Sequence, residues 1–263
     1  MLVVAGPCVI EGPEMIRNLA RFLKTETQAL GLGYVFKSSY DKANRTSVKS
    51  FRGPGIKDGL ALLKALKQET GVLVISDVHR LAEVDAAAQV LDVIQIPAFL
   101  CRQTDLIQAV ARTGRVVNVK KGQFLSPWDM AGVIEKITAA GSENIIITER
   151  GTSFGYNNLV VDMRSLPIMR QFGYPVIFDA THSVQLPGGG RGCSGGDSRF
   201  IAPLARAAVA AGVDGVFMEV HHDPEQALCD GPNSLPQPEF PGLIRLLRDI
   251  DRLVKSGGIS LGS

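Results

Sequence analysis

The sequence predicts an eight-stranded parallel (β/α)8 TIM barrel, a single α/β domain over residues 1–263. Three observations lead there. Short apolar, β-branched runs recur eight times, at intervals of roughly 20–40 residues. Amphipathic, helix-like stretches fill the intervals. Polar residues follow nearly every apolar run. The length of 263 residues exceeds the usual domain, but barrels of about 250 residues are routine as one unit.

The first run is Leu2–Ala5, closed by Gly6-Pro7. Tyr34–Lys37, Val72–Ser76 and Val93–Ile96 follow. The second half supplies Val116–Lys120, Asn144–Thr148, Pro175–Asp179 and Gly215–Met218. Predicted helices are Leu60–Lys67, Leu81–Val90, Asp129–Ala140, Phe200–Ala211 and Leu243–Val254. In the first of these, Leu60, Leu63 and Leu66 fall on one face, the spacing a core-facing helix requires. An open doubly wound sheet is the alternative, but it gathers its ligand residues at one switch point. Here they follow strand after strand, which favours closure.

Composition narrows the function. A net charge of +2 supplies no bulk grip on nucleic acid, so anion recognition must come from local cation clusters. No apolar run is long enough to span a bilayer, and the start lacks the basic and apolar stretches of a signal peptide. Cys8, Cys101, Cys193 and Cys229 are scattered without the spacing of a disulfide framework, so reduced thiols in a cytoplasmic protein are expected.

In β/α barrels the C-terminal strand ends and the loops after them form the active site. Strand 1 runs into Cys8 and Glu11. Strand 2 ends in Lys37-Ser38-Ser39, then Asp41-Lys42-Ala43-Asn44-Arg45. Strand 3 ends at Asp77 and His79, and strand 4 carries Gln95 and leads to Arg102. Asn118, Lys120, Lys121 and Gln123 close strand 5, and Glu149-Arg150 closes strand 6. Asp179 and His182 close strand 7, and Glu219, His221 and His222 close strand 8. Any one of these is more often a solvated loop residue than a ligand. Their joint placement predicts an anionic substrate, phosphate or carboxylate, because cations held together without a counter-ion are costly.

Cys8, His182, Glu219 and Asp230 lie on strands that neighbour one another in a closed barrel. A thiolate, an imidazole and two carboxylates suit a divalent ion such as Fe2+, Zn2+ or Mn2+. On spacing alone this is weak, since no CxxC or HExxH is present. The plain alternative is that Cys8 is a small buried apolar residue and Glu219 pairs with a lysine. The glycine-rich Pro187–Phe200 segment follows strand 7 and reads either as a mobile lid or as a simple flexible loop.

Longer motifs carry a resemblance. They are Ala5-Gly6-Pro7-Cys8-Val9-Ile10-Glu11, the Phe36–Arg45 stretch, Ile94–Asp105, Asn118-Val119-Lys120-Lys121-Gly122-Gln123-Phe124, Thr148-Glu149-Arg150-Gly151 and Asp179–Gln185. Over nearly the whole chain the sequence resembles the 3-deoxy-D-manno-octulosonate 8-phosphate (KDO-8-phosphate) synthase family. The related DAHP synthases share the barrel, but they carry Lys-Pro-Arg-Thr where this chain has Lys42-Ala43-Asn44-Arg45.

The resemblance implies condensation of phosphoenolpyruvate with D-arabinose 5-phosphate and water, releasing inorganic phosphate by C–O cleavage, in the lipopolysaccharide pathway. It implies phosphoenolpyruvate binding by Lys37, Lys42, Lys120, Gln123 and Arg150, and arabinose 5-phosphate binding by Asn44 and Asp77. Arg45 and Thr46 would grip the sugar phosphate of a neighbouring subunit, within a homotetramer. Ser39, Gln95 and Ala98 are further substrate contacts, and Lys42, Lys120, His182 and Asp230 the catalytic set. Metal-independent relatives carry Asn at the position of Cys8, so Cys8, His182, Glu219 and Asp230 imply the metal-dependent form. Condensation with erythrose 4-phosphate and a non-catalytic sugar-phosphate sensor are the alternatives. Cys229, beside Asp230, has no assigned role.

Overall fold

The computed structural model describes residues 1–45, 47–190 and 193–257. Thr46, the proposed phosphate hydroxyl, lies outside the described residues. The barrel strands are β1 (Leu2–Gly6), β2 (Gly33–Lys37), β3 (Leu73–Asp77) and β4 (Val93–Ile96), then β5 (Val116–Lys120), β6 (Ile145–Glu149), β7 (Val176–Asp179) and β8 (Gly215–His221). Each pairs in parallel with the next, and β1 pairs with β8, with Leu2 opposite Gly215 and Gly6 opposite Glu219. The sheet is therefore closed, and the open alternative is excluded. All eight predicted strands are present, with ends within two residues of the predicted ones except at β8, which continues to His221.

Among the described residues, eight α-helices alternate with the strands: α1 (Pro13–Ala29), α2 (Ile56–Thr70), α3 (Val84–Ala88), α4 (Thr104–Arg112), α5 (Met130–Thr138), α6 (Ser165–Arg170), α7 (Ile201–Ala210) and α8 (Phe240–Ser256). α1 starts on Pro13, whose fixed φ suits a first helical turn. It buries Ile16, Leu19, Ala20, Leu23 and Thr27, one continuous face. In α8, Phe240, Leu243, Ile244 and Leu247 do the same. α1, α4 and α6 are absent from the sequence prediction. Their polar faces dilute the apolar count, although the spacing of Leu106, Ile107, Val110 and Ala111 in α4 is plainly helical.

Two cores result. The larger lies between strands and helices. The smaller fills the barrel with Val4, Val35, Ile75, Val93, Ile177 and Phe217, joined by Leu2, Val116 and Ile146. Side chains alternate along a strand, so the residue two positions after each of these faces the interior one layer higher. On β2 to β8 those residues are Lys37, Asp77, Gln95, Asn118, Thr148, Asp179 and Glu219, while β1 contributes Val4 and then Gly6. The apolar layer thus carries a polar layer at the C-terminal end, and the period-2 pattern that builds the barrel also positions the site.

After β7, Gln185–Gly190 pairs with Cys193–Gly196 as an antiparallel ribbon within and beside the glycine-rich segment. Gly196 packs so closely on Asn233 that a Cβ there would overlap its side-chain oxygen.

Candidate active site

The polar layer opens into a cavity of about 540 Å3, within the range of roughly 300–1,000 Å3 usual for small-molecule sites. From the predicted set, Lys37, Lys42, Asn44, Arg45, Asp77, Gln95 and Ala98 line it. So do Lys120, Gln123, Arg150, His182 and Asp230. Ser39, Cys8 and Glu219 are buried among the strand ends and do not line the cavity.

Two buried lysines form its floor. Lys37 Nζ donates to Glu219 Oε1 at 2.5 Å and to the Cys8 carbonyl at 2.9 Å. Lys120 Nζ donates to Asp179. The Phe217 ring lies beneath both, 3.2 Å from Lys120 Nζ and 5.6 Å from Lys37 Nζ at its centroid. Its π-face adds a second attraction for each cation. The lysines nevertheless titrate in opposite directions. Burial pulls the Lys120 amine down to about 8, against the opposing pull of Asp179. Burial acts the same way on Lys37 and is the largest single influence, but Glu219, Cys8 and Asp77 together outweigh it and raise the amine. Lys42 is raised well above the ordinary range, since Cys8, Cys229, Glu219 and Asp230 together outweigh its desolvation. Arg150 donates to Gln185 at 2.9 Å, and its Nη1 has no hydrogen-bond partner among the described residues.

On the opposite wall, Asp77 accepts from Ser39 Oγ and lies 2.8 Å from His79 Nε2. Burial would raise the Asp77 carboxyl, but His79, Lys42 and Lys37 hold it well below the usual range. His79 is anchored in turn by its backbone N–H, which donates to Glu83 at 2.8 Å. Tyr40 donates to the same Glu83 oxygen at 2.9 Å. Asn118 Nδ2 donates to Gln95 at 3.3 Å, fixing that amide over the cavity. Arg45 turns toward its own chain here: Nη1 donates to Cys229 Sγ at 2.8 Å and lies 3.6 Å from Asp230 Oδ1.

The predicted metal donors meet at the β1–β8 seam, in two overlapping groups. One is His182, Glu219 and Asp230; the other is Cys8, Cys229 and Asp230. His182 Nε2 lies 3.6 Å from Glu219 Oε1 and 3.8 Å from Asp230 Oδ2. Three observations fit a cation. Glu219 Oε2 is fully buried without a hydrogen-bond partner among the described residues. His182 Nδ1 is engaged by Asp179 Oδ2 at 2.8 Å, which leaves Nε2 as the free lone pair, the carboxylate–histidine arrangement typical of metal sites. Asp230 sits at φ 49, a left-handed conformation rare outside glycine and commonest where function demands it. Both parts of the plain alternative are also present, since Cys8 is buried and Glu219 pairs with Lys37. The orphaned Oε2 shows that this pairing uses only half of the carboxylate.

Sequence reasoning missed the organising role of Asp179. Fully buried, it accepts from Thr181 N at 3.2 Å, Thr181 Oγ1 at 3.0 Å and His182 N at 2.9 Å, besides Lys120 and His182 Nδ1. The signal was an aspartate three residues before a strand-end histidine. Glu149 and Lys121 were also left without roles. Glu149 accepts from Arg150 N at 3.0 Å, Gly151 N at 2.7 Å and Ser165 Oγ at 3.0 Å. Lys121 holds the loop around Gln123 through the carbonyls of Gly122 and Leu125.

A model of the DAHP synthetase I family matches residues 1–256. The chain belongs to the DAHP synthetase I family. This family member is 61% identical over 255 residues to the 2-dehydro-3-deoxyphosphooctonate aldolase of Trichlorobacter lovleyi, an alignment covering 97% of this chain and 94% of that protein. Proteins of the same name from Geotalea daltonii and Pelobacter propionicus are each 62% identical, with the same coverage. Likeness to the DAHP synthetase I family thus extends across barrel, strand ends and the β8 loop. No helix among its described residues is long and apolar enough to cross a membrane.

Proposed function

We propose that this protein condenses phosphoenolpyruvate with D-arabinose 5-phosphate and water to 3-deoxy-D-manno-octulosonate 8-phosphate and inorganic phosphate. The relatives' name specifies a phosphorylated eight-carbon 2-dehydro-3-deoxy acid, the product that a three-carbon enol and a five-carbon aldose yield. The observation that carries the reading is the convergence of Lys37, Lys42, Lys120 and Arg150 on one cavity whose other wall bears Asp77 and Asn44.

In this reading Lys37, Lys42, Lys120, Gln123 and Arg150 hold the phosphate and carboxylate of phosphoenolpyruvate, with Arg150 Nη1 free for a new acceptor. Asn44, Asp77, Gln95 and Ala98 orient the sugar, with Ser39 acting through the hydrogen bond it donates to Asp77, which brings the aldehyde within reach of the enol carbon. C3 of phosphoenolpyruvate bonds to the aldehyde carbon, water adds at C2, and the C2–O bond to phosphate breaks. Positive charge developing at C2 and negative charge at the aldehyde oxygen are met by fixed groups that need no reorganisation. Lys42 and Lys120 supply cations beside the reacting carbons, while His182 and Asp230 hold the sugar end.

Cys8, His182, Glu219 and Asp230 would hold a divalent ion such as Fe2+, Zn2+ or Mn2+. When bound, that ion supplies Lewis-acid polarisation or water activation. Arg45 and Thr46 would grip the sugar phosphate of an adjacent copy in a homotetramer, and operation in the cytoplasm for lipopolysaccharide synthesis completes the reading.

Phosphate release tests it. Release is expected only with both substrates, faster with arabinose 5-phosphate than with erythrose 4-phosphate, and lost on chelation. Preference for erythrose 4-phosphate, or tight binding of both substrates without turnover, overturns the assignment. Full activity in a chelated, metal-free sample overturns the metal.

A further inference from the structure

Cys229 belongs to no part of the reaction above, yet its thiol lies at the centre of the β1–β8 seam. It is buried, with Sγ 2.9 Å from Cys8 Sγ. Arg45 Nη1 donates to the same sulphur at 2.8 Å. Cys8, Cys229 and Asp230 bring two sulphurs and a carboxylate oxygen within 4.8 Å of one another. A sulphur that only filled space would not be met by both a thiol and a guanidinium.

We infer that Cys229 is a further metal ligand, so that the divalent ion is held by two sulphurs rather than one. The inference rests on the metal-dependent reading of the site. Both thiols would give up their protons as the ion binds, and the Arg45 guanidinium is placed to stabilise the second thiolate. Zinc–sulphur bonds of about 2.3 Å at a tetrahedral angle set sulphurs roughly 3.7 Å apart. The two sulphurs, 2.9 Å apart, therefore need to part by somewhat under an ångström. Asp230, next in sequence to Cys229, then belongs to both donor groups, and its left-handed backbone turns thiol and carboxylate toward one point. Two thiolates shift preference toward softer ions, Zn2+ over Mn2+.

Co2+ binding to the full-length reduced protein decides the matter, because the sulphur-to-cobalt band in the near ultraviolet scales with the number of bound thiolates. The expected result is a band per bound ion halved by Cys229→Ser, halved by Cys8→Ser and abolished in the double variant. Circular dichroism identifies any variant that has not folded, and Cys229→Ala then replaces Cys229→Ser. A full-intensity band in folded Cys229→Ser and Cys229→Ala overturns the inference while leaving the metal site standing. No band in the unmodified protein overturns both. A titration finding two free thiols among the four cysteines in the unreduced protein assigns the pair to a disulfide and also overturns the inference.

Discussion

Asp179→Asn separates the electrostatic role of this carboxylate from its shape. The two side chains are isosteric, so packing at a fully buried position is preserved. Oδ1 accepts three hydrogen bonds, from Thr181 N, Thr181 Oγ1 and His182 N. An asparagine oxygen fits best there. Its NH2 then occupies the place of Oδ2, facing the Lys120 ammonium and His182 Nδ1, both donors. Lys120 is left as a buried cation without its partner, and breaking such a pair costs about 3–5 kcal/mol. Against a typical total of about 5–15 kcal/mol, this moves the denaturant midpoint far down. The second effect is on metal: without a carboxylate on Nδ1, His182 loses its fixed tautomer, and affinity is expected to fall on the order of 10–100-fold. Urea unfolding gives the first magnitude and competition with a chromophoric chelator the second. A stability loss below about 1 kcal/mol, the size of an ordinary neutral hydrogen bond, together with unchanged metal affinity, refutes the reasoning.

Four further outcomes are expected. With the Lys120 amine near 8, the cation is lost as pH rises through that value. KM for phosphoenolpyruvate should therefore climb on the order of tenfold per pH unit above it, and a KM indifferent to pH there counts against Lys120 as an anion ligand. Between about 8 and the ordinary 10.5, the unfolded chain retains a proton that the folded one has lost, so this group's contribution to stability rises with pH across that window. Gly6→Ala would place a Cβ 2.0 Å from the Lys37 carbonyl oxygen. A backbone atom cannot step aside as a side chain does, so a loss of about 1–3 kcal/mol or more and a lowered melting temperature should follow, and an unchanged melting curve would contradict the close approach. Cys8→Asn should abolish metal dependence while retaining part of the activity; complete inactivity without metal argues against that exchange.

The strand framework was legible because eight β-branched runs repeat at a period that little else produces. The helix α1 was less so: Asn18, Thr25 and Glu26, which lie off its buried face, dilute the apolar run in sequence, and only the Ile16, Leu19, Leu23 spacing reveals that face. The Gln185–Gly190 ribbon had no side-chain pattern to read, since backbone pairing among glycines leaves none. At the site, strand-end position identified which residues converge. It could not say which would pair before any ligand arrives, because Lys37–Glu219 and Lys120–Asp179 bridge strands far apart in sequence. Asp179 and Glu149 were visible as strand-end acids, but their roles are set by backbone N–H groups that a sequence does not display.

The seam between β1 and β8 carries a consequence for how the molecule is made. Cys8 and Cys229 are 221 residues apart in sequence. A growing chain therefore displays the Cys8 sulphur long before its counterpart, 221 residues later, is made. An emerging segment can hold an ion there only loosely, and full affinity arises when the first and last strands meet. In the proposed metal-dependent reading, capture of the ion would then act as a latch on the ring, because whatever binds the closed form alone favours closure. Withholding metal during refolding should thus slow or weaken the final joining of the two ends more than the assembly of the strands between them.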